Sequence, residues 1–210
     1  KIDEFIEIAG VEKRIFVDSE DDISFLETNK NASHILINKL RQDKRPGLIL
    51  FSSGSTGKSK AVVHDFEKLL SKFKSNRSAK TTMAFLLFDH IGGVNTLLHV
   101  LSNGGCVVTI NSHLPLDVCK YVEKYKVQIL PVTPSFINLL LISEEYKNFD
   151  LSSLEVVTYG TEVMNKFTLE RFCEVFPKIV LKQTYGLSEV GIMSTKSENS
   201  DSLWVKVGGD

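Results

Sequence analysis

After Pro46 the spacing of apolar positions changes repeatedly along the chain. Short aliphatic runs, apolar on both faces, alternate with longer amphipathic stretches whose apolar positions recur at helical spacing. Gly47–Ser52 reads as a buried strand, followed by a Gly/Ser/Thr loop and a short extended piece, Ala61–His64. Asp65 has the chemistry of an N-cap for a helix to about Asn76. The pattern then predicts a strand over Thr81–Phe88, a helix over Gly93–Leu101 closed by Asn103-Gly104-Gly105, and a strand over Cys106–Ile110. A helix over Leu116–Tyr125 and a strand over Gln128–Val132 follow, and Pro134 opens a helix to about Ile142. Leu154–Tyr159, Lys166–Val175 and Ile179–Gln183 read as strand, helix and strand. Doubly apolar strands separated by helices predict an α/β fold: a layered, mostly parallel sheet with helices on both faces. Residues 1–42 are less regular and 43–46 are charged, so the chain divides into an irregular acidic lead-in, 1–45, and an α/β core, 46–210. Strand character returns at Leu203–Val207, where the chain is about to stop, and the chain begins with Lys1. Both features predict an excerpt of a longer protein.

Composition narrows the class. With 210 residues, 42% of them hydrophobic, 24% charged, and only 13 glycines and 5 prolines, the chain can bury a sizeable core. That excludes a disordered chain, a collagen-like repeat and a small disulfide scaffold. A net charge of −1 gives no global signal for nucleic acid or anionic lipid. Positions 1–33 carry an acidic excess, read as a solvated surface. Cys106, Cys119 and Cys173 are scattered without C-x-x-C spacing, which predicts reduced, buried thiols in a cytoplasmic protein. No apolar run approaches the ~20 residues of a membrane span. His34, His99 and His113 have no partners at metal-ligand spacing, and Lys68, Lys72, Lys74, Arg77 and Lys80 read as a solvated helix face.

The stretch F-S-S-G-S-T-G-K-S-K, Phe51–Lys60, carries the chemistry. A strand ends in small hydroxylated residues, glycines and two lysines. Glycines let backbone amides approach an anion, hydroxyls add donors, and lysines add countercharge. Ser52–Ser59 nearly fits the P-loop pattern G-x-x-x-x-G-K-[ST], with Ser52 in place of its first glycine, and Ala84–Asp89 imitates a strand ending in a magnesium-binding aspartate. A kinase or ATPase is therefore an alternative. In a P-loop, however, the lysine opens a helix, whereas Lys60 leads into the β-favouring run Ala61-Val62-Val63-His64.

As a strand–loop–strand unit, the segment resembles the signature loop of the acyl-adenylate-forming enzymes, roughly [ST]-[ST]-G-[ST]-[ST]-G-x-P-K-G-V. It departs by Ser59 for the usual proline and Ala61 for the usual glycine. Gln183–Gly191, Q-T-Y-G-L-S-E-V-G, resembles the family's Y-G-x-[ST]-E. Tyr159-Gly160-Thr161-Glu162 resembles its G-G-E segment, and Leu130–Pro134 the lead into the helix bordering its acyl pocket. Phe88–Thr96 resembles the substrate gate, aligning either His90 or Asp89 with the gate position.

The resemblance implies ATP- and magnesium-dependent activation of a carboxylic acid to an acyl-adenylate. Transfer to a thiol, of coenzyme A or of a carrier protein's phosphopantetheine, would then follow. By this resemblance Ser52, Ser53, Gly54, Ser55, Thr56, Gly57 and Lys58 cradle the phosphates, with Lys60 adding charge. Gly160, Thr161, Glu162, Thr184, Tyr185 and Gly186 line the adenine pocket, Tyr185 stacking on the base. Ser188 touches the α-phosphate, Glu189 helps hold magnesium, and His90 gates the substrate. The family's ribose-binding T-G-D motif and lysine-bearing C-terminal domain are expected elsewhere in the parent protein, so this chain alone should adenylate poorly or not at all. A scaffold of the same fold without catalysis is the remaining alternative.

Overall fold

The computed structural model describes residues 2–53, 57–75, 77–193, 195–197, 200 and 202–208. The chain forms two compact units, residues 1–72 and 73–210. The segment 51–60 therefore belongs to the same unit as the acidic lead-in.

The lead-in is more regular than its pattern suggested. It forms α1 (Ile2–Ala9), an antiparallel hairpin of β1 (Lys13–Val17) and β2 (Ile23–Glu27), and α2 (Ile35–Gln42). Ile2, Phe5, Ile6 and Ala9 recur at i, i+3, i+4 and i+7, the spacing of one helical face. The β1–β2 turn is tied by Asp18, whose Oδ1 accepts from the amides of Glu20 (2.8 Å) and Asp22 (3.0 Å). His34 caps α2 by accepting from the amide of Leu36. The acids of this segment are paired as well as solvated: Arg41 donates to Glu12 at 2.7 Å and holds its carboxyl below the usual range. β3 (Gly47–Ser53) and β4 (Ser59–Asp65) form a second antiparallel hairpin, and α3 (Phe66–Ser71) follows, capped by Asp65 accepting from the amide of Lys68. α3 is shorter than the pattern predicted. Lys74, Arg77 and Lys80 consequently lie outside any helix and form no basic helical face with Lys68.

The second unit begins with β5 (Thr81–Ala84), α4 (Ile91–Ser102), β6 (Cys106–Thr109), α5 (Pro115–Tyr125) and β7 (Ile129–Val132). α6 (Pro134–Ser143), a 3-10 turn at Glu145–Lys147, β8 (Val156–Tyr159), α7 (Lys166–Val175) and β9 (Val180–Gln183) follow. The chain then forms a hairpin of β10 (Tyr185–Leu187) and β11 (Gly191–Met193), and another of β12 (Thr195–Ser197) and β13 (Val205–Val207). Helix boundaries follow local chemistry. Pro115 and Pro134 sit at first-turn positions, and Thr133 and Asn165 accept the amides of Phe136 and Phe167. Predicted strands that ran to Phe88 and Ile110 stop at Ala84 and Thr109, where pairing ends.

β5 to β9 form one parallel sheet in the order β6-β5-β7-β8-β9. One face carries Met83, Val108, Leu130, Val132, Val157, Tyr159 and Leu181, buried beneath α5, α6 and α7. α4 contributes nothing to that cluster, and a right-handed β5–α4–β6 crossover puts it on the opposite face. There α4 also packs against β10 and β11. Fold class and sheet are thus those the pattern predicted.

Buried Cys119 has its thiol pushed up to about 12 by desolvation. Cys173 is half-buried, but Cys106 is exposed, contrary to the expectation of buried thiols, because it opens the edge strand β6. At the N-terminal edge of the sheet, Lys80 Nζ reaches both oxygens of Glu155 (2.8 and 2.6 Å), and Gln128 Nε2 donates to Oε1 at 2.7 Å. Gln128 Oε1 in turn accepts from the amide of Thr81, so the cluster joins three strands' approaches. Lys80 foremost, then Gln128, holds the Glu155 carboxyl below its ordinary value. A depressed folded pKa gives stability that is complete above the unfolded carboxylate pKa of about 4.3 and lost as pH falls through the folded value. Glu155→Gln should accordingly flatten the acid limb of the stability curve below about pH 4.5. Urea midpoints measured between pH 7 and pH 3 check this; an unchanged acid limb would refute the contribution.

Candidate functional site

In the first unit, the loop joins two antiparallel strands whose register ends at Ser52↔Lys60 and Ser53↔Ser59. Ser52 is half-buried, Lys58 and Lys60 are exposed, and Gly57 has φ +80°, a backbone state that favours glycine. Gly54, Ser55 and Thr56 lie outside the described residues, as does the side chain of Ser53. Lys60 continues into β4, so no helix N-terminus follows the lysine. Among the described residues, the segment is followed by a strand, β4, and not by the helix of a P-loop. Its other supposed element fails too: Asp89 is 65% exposed and lies beyond the end of β5.

α1 grips this hairpin near its loop end, a feature that no local sequence pattern marks. Glu4 Oε1 accepts from the amide of Ser59 at 2.9 Å. The next residue, Phe5, stacks on Phe51 of β3 with ring centroids 4.0 Å apart and planes 11° from parallel.

In the second unit, the order β6-β5-β7-β8-β9 means that the connections leave β5 and β7 in opposite directions. In open parallel sheets the crevice at such a reversal, beyond the strands' carboxyl ends, is where ligands bind. Four segments gather along that carboxyl edge: 85–90 after β5, 133–135 after β7, 160–162 after β8 and 184–189 after β9.

The last two of these segments are bonded together. Thr184 donates both its amide (2.7 Å) and its hydroxyl (3.0 Å) to the carbonyl of Tyr159. Gly160 makes that approach possible, since a Cβ there would stand 2.6 Å from Thr184 Oγ1 and 2.7 Å from its carbonyl oxygen. Thr161 follows with φ +70°, a left-handed backbone for a β-branched residue. Gly186 is equally confined: a Cβ would meet Ile192 Cδ1 at 2.4 Å and the Gly191 carbonyl at 2.9 Å. Tyr185 is 42% exposed, while half-buried Ser188 and exposed Glu189 occupy the turn between β10 and β11. The edge therefore presents an aromatic ring, a hydroxyl and a carboxylate in sequence.

Glu162 points elsewhere. Its Oε2 accepts from the amide (3.0 Å) and hydroxyl (2.5 Å) of Ser135, tying the β8 loop to the first turn of α6. His90 occupies the N-cap position of α4 without capping it, and its Nε2 lies 3.5 Å from Asp89 Oδ1. Both gate candidates thus share one exposed loop. His113 Nε2 lies 2.8 Å from the carbonyl of Phe85, a structural contact. Among the described residues, no three His, Cys, Asp or Glu side chains gather as metal ligands, and no helix is long and apolar enough to cross a membrane.

A model of the AMP-binding enzyme family matches residues 4–209. A 4-coumarate–CoA ligase-like protein of Arabidopsis thaliana, number 9 of its series, is 30% identical over 185 residues, covering 83% of this chain and 33% of that protein. A probable CoA ligase of Humulus lupulus, CCL5, is 29% identical over 204 residues, 87% of this chain and 37% of the relative. The chain thus spans about a third of the length of these curated relatives. Among solved structures, the luciferase-like enzyme of the nonluminescent mealworm Zophobas morio superposes with a TM-score of 0.62 at 27% identity, covering 70% of this chain and 35% of that one. The N-terminal domain of FACL13 from Mycobacterium tuberculosis gives 0.59 at 21% identity, covering 67% and 37%, a likeness of fold.

Proposed function

The chain belongs to the AMP-binding enzyme family, and from that premise we propose that its parent protein activates a carboxylic acid with ATP and passes the acyl group to a thiol. The observation that carries this reading is the double hydrogen bond from Thr184 to the Tyr159 carbonyl. It holds Gly160–Glu162 beside Thr184–Glu189 at the carboxyl edge of the sheet.

In the proposed reaction, a carboxylate oxygen of the acid attacks the α-phosphorus of ATP. The bond to the bridging oxygen of pyrophosphate breaks and its electron pair leaves with pyrophosphate. A thiol sulfur then attacks the acyl carbon of the adenylate, AMP departs, and the thiol proton passes to solvent or base. The thiol is that of coenzyme A or of a carrier protein's phosphopantetheine arm. No protein nucleophile is needed, so the chain's contribution is positioning and charge neutralisation.

Lys58 and Lys60, with Ser52, Ser53 and the 54–57 backbone, are assigned to the β- and γ-phosphates. Tyr185 is assigned to the adenine face, beside Gly160, Thr161, Thr184 and Gly186. Ser188 is assigned to the α-phosphate and His90 to the mouth of the acyl pocket. Glu162, engaged with Ser135, is assigned to keeping the β8 loop in place rather than to nucleotide contact. Glu189 offers one hard oxygen donor, which suits a magnesium ion that keeps waters and phosphate oxygens for its other ligands. Bound there, magnesium would offset charge on the triphosphate. Residues 46–210 are read as part of the α/β core of an AMP-binding domain, in a cytoplasmic protein. The 210-residue chain by itself is expected to turn over slowly or not at all.

Carboxylate-dependent ATP–pyrophosphate exchange on the full-length protein tests this, with fatty, aryl and amino acids as a panel. Exchange with one acid class that falls at least about 10²-fold in Glu189→Ala is the expected result. ADP and phosphate release without exchange would overturn it in favour of a phosphohydrolase or kinase. Absence of both exchange and ATP binding would leave a scaffold.

A further inference from the structure

The first turn of α1 holds both arms of the phosphate-loop hairpin with two consecutive side chains. Phe5 lies flat on Phe51, two residues before the β3 arm ends at Ser53. Glu4 takes the amide of Ser59, the first residue of the β4 arm. Ser53 and Ser59 are the register pair that closes the loop, so the carboxylate bonds to the closing residue itself.

We infer that Glu4 is a positioning residue for the phosphate loop, a latch that fixes the backbone at the loop's exit. This rests on the reading of residues 52–60 as a phosphate cradle. A loop that binds an anion through backbone amides works only if those amides already point inward, because ordering them on binding costs conformational entropy. Proline at the exit position would fix φ by its ring and present no N–H. Ser59 has a free φ and an N–H, and each needs a partner or a restraint. The Glu4 carboxylate supplies both at once, through a charge-assisted hydrogen bond in a part-buried setting. The adjacent aromatic stack fixes the opposite arm, so the two arms cannot splay where they meet the loop without breaking one contact or the other.

The latch also explains the position of an acid beside a loop that attracts anions. Its carboxylate accepts from an amide of the β4 arm, at the residue that closes the loop. A carboxylate that instead competed with phosphate for the cradle would weaken nucleotide binding, and the two roles predict opposite effects of removal.

The test uses the full-length protein and four variants: Glu4→Ala, Glu4→Gln, Ser59→Pro and Glu4→Ala with Ser59→Pro. Two quantities are read, the exchange rate of the Ser59 amide by NMR and the ATP dependence of pyrophosphate exchange. Glu4→Ala should speed Ser59 amide exchange and raise KM for ATP about tenfold, with kcat and melting temperature little changed. Glu4→Gln should restore both, because its amide oxygen accepts the same bond. In the Ser59→Pro background the donor is gone, so Glu4→Ala should have no further effect on KM. Equal KM in Glu4→Ala and parent, additive effects in the double variant, or tighter ATP binding in Glu4→Ala would each overturn the latch. Failure of the cradle reading looks different: Lys60→Ala would then leave KM for ATP unaltered, whatever Glu4 does.

Discussion

Phe172→Ala should cost the second unit about 3–5 kcal/mol, one of the largest single losses available in this chain. Phe172 is 1% exposed and sits on the inner face of α7, among residues of the core formed by one face of the sheet with α5, α6 and α7. Its ring lies 4.9 Å from Phe176, which in turn meets Tyr146 edge-on at 5.1 Å. Truncation therefore removes a buried ring and also opens an aromatic chain that joins α7 to the segment after α6. Val157, Leu169 and Leu181 of the same core belong to elements held by sheet pairing or helix hydrogen bonds, so the core can close the gap only in part. Urea denaturation followed by far-UV circular dichroism measures the loss. A cost below about 1 kcal/mol would mean that the site collapses freely and that the core under α7 is loosely packed.

That core was legible in advance because the α/β pattern is redundant. The central strand β7 is apolar on both faces, and α5, α6 and α7 announce their starts by proline or a capping side chain, as Pro115, Thr133 and Asn165 do. α7 ends where its pattern ends. Misjudged boundaries fell where pairing, not side-chain character, decides: Phe85–Phe88 is as apolar as a strand, yet β5 has no partner beyond Ala84. The lead-in reads as irregular because its acids mask a helical apolar spacing in α1 and because the β1–β2 hairpin turns on Asp18 without a glycine. The motif residues could be named from sequence, since small, hydroxylated and charged types cluster there for chemical reasons. What joins them could not. No local pattern tells that Thr184 will bond to the carbonyl of Tyr159, that Glu162 will reach Ser135, or that Glu4 will find an amide 55 positions away. Those contacts depend on how the chain returns after a strand or a hairpin, which is long-range information.

Gly160→Val should nearly abolish pyrophosphate exchange while leaving a folded protein, and it tests the most confined point of the proposed site. The clash is with backbone as well as side chain: a Cβ would lie 2.7 Å from the Thr184 carbonyl and 2.6 Å from its hydroxyl. Trimming Thr184 to alanine removes only the second obstacle, so the pair Gly160→Val with Thr184→Ala should not recover activity. To fit the new methyl groups, the β8 loop must move away from the β9 segment, which breaks both hydrogen bonds to the Tyr159 carbonyl. A displacement of about 1 Å at a site built on positioning is worth on the order of 10²-fold in rate. Because the donor Thr184 lies one residue past the last register pair, Tyr159↔Gln183, the pairs before it keep their register, and circular dichroism should change little. The loss should fall on the ATP-dependent step, so direct ATP binding should weaken in parallel with exchange. Full activity in Gly160→Val would show that the junction of the two segments is not part of the nucleotide site, and the assignments of Gly160, Thr161 and Tyr185 would fall together.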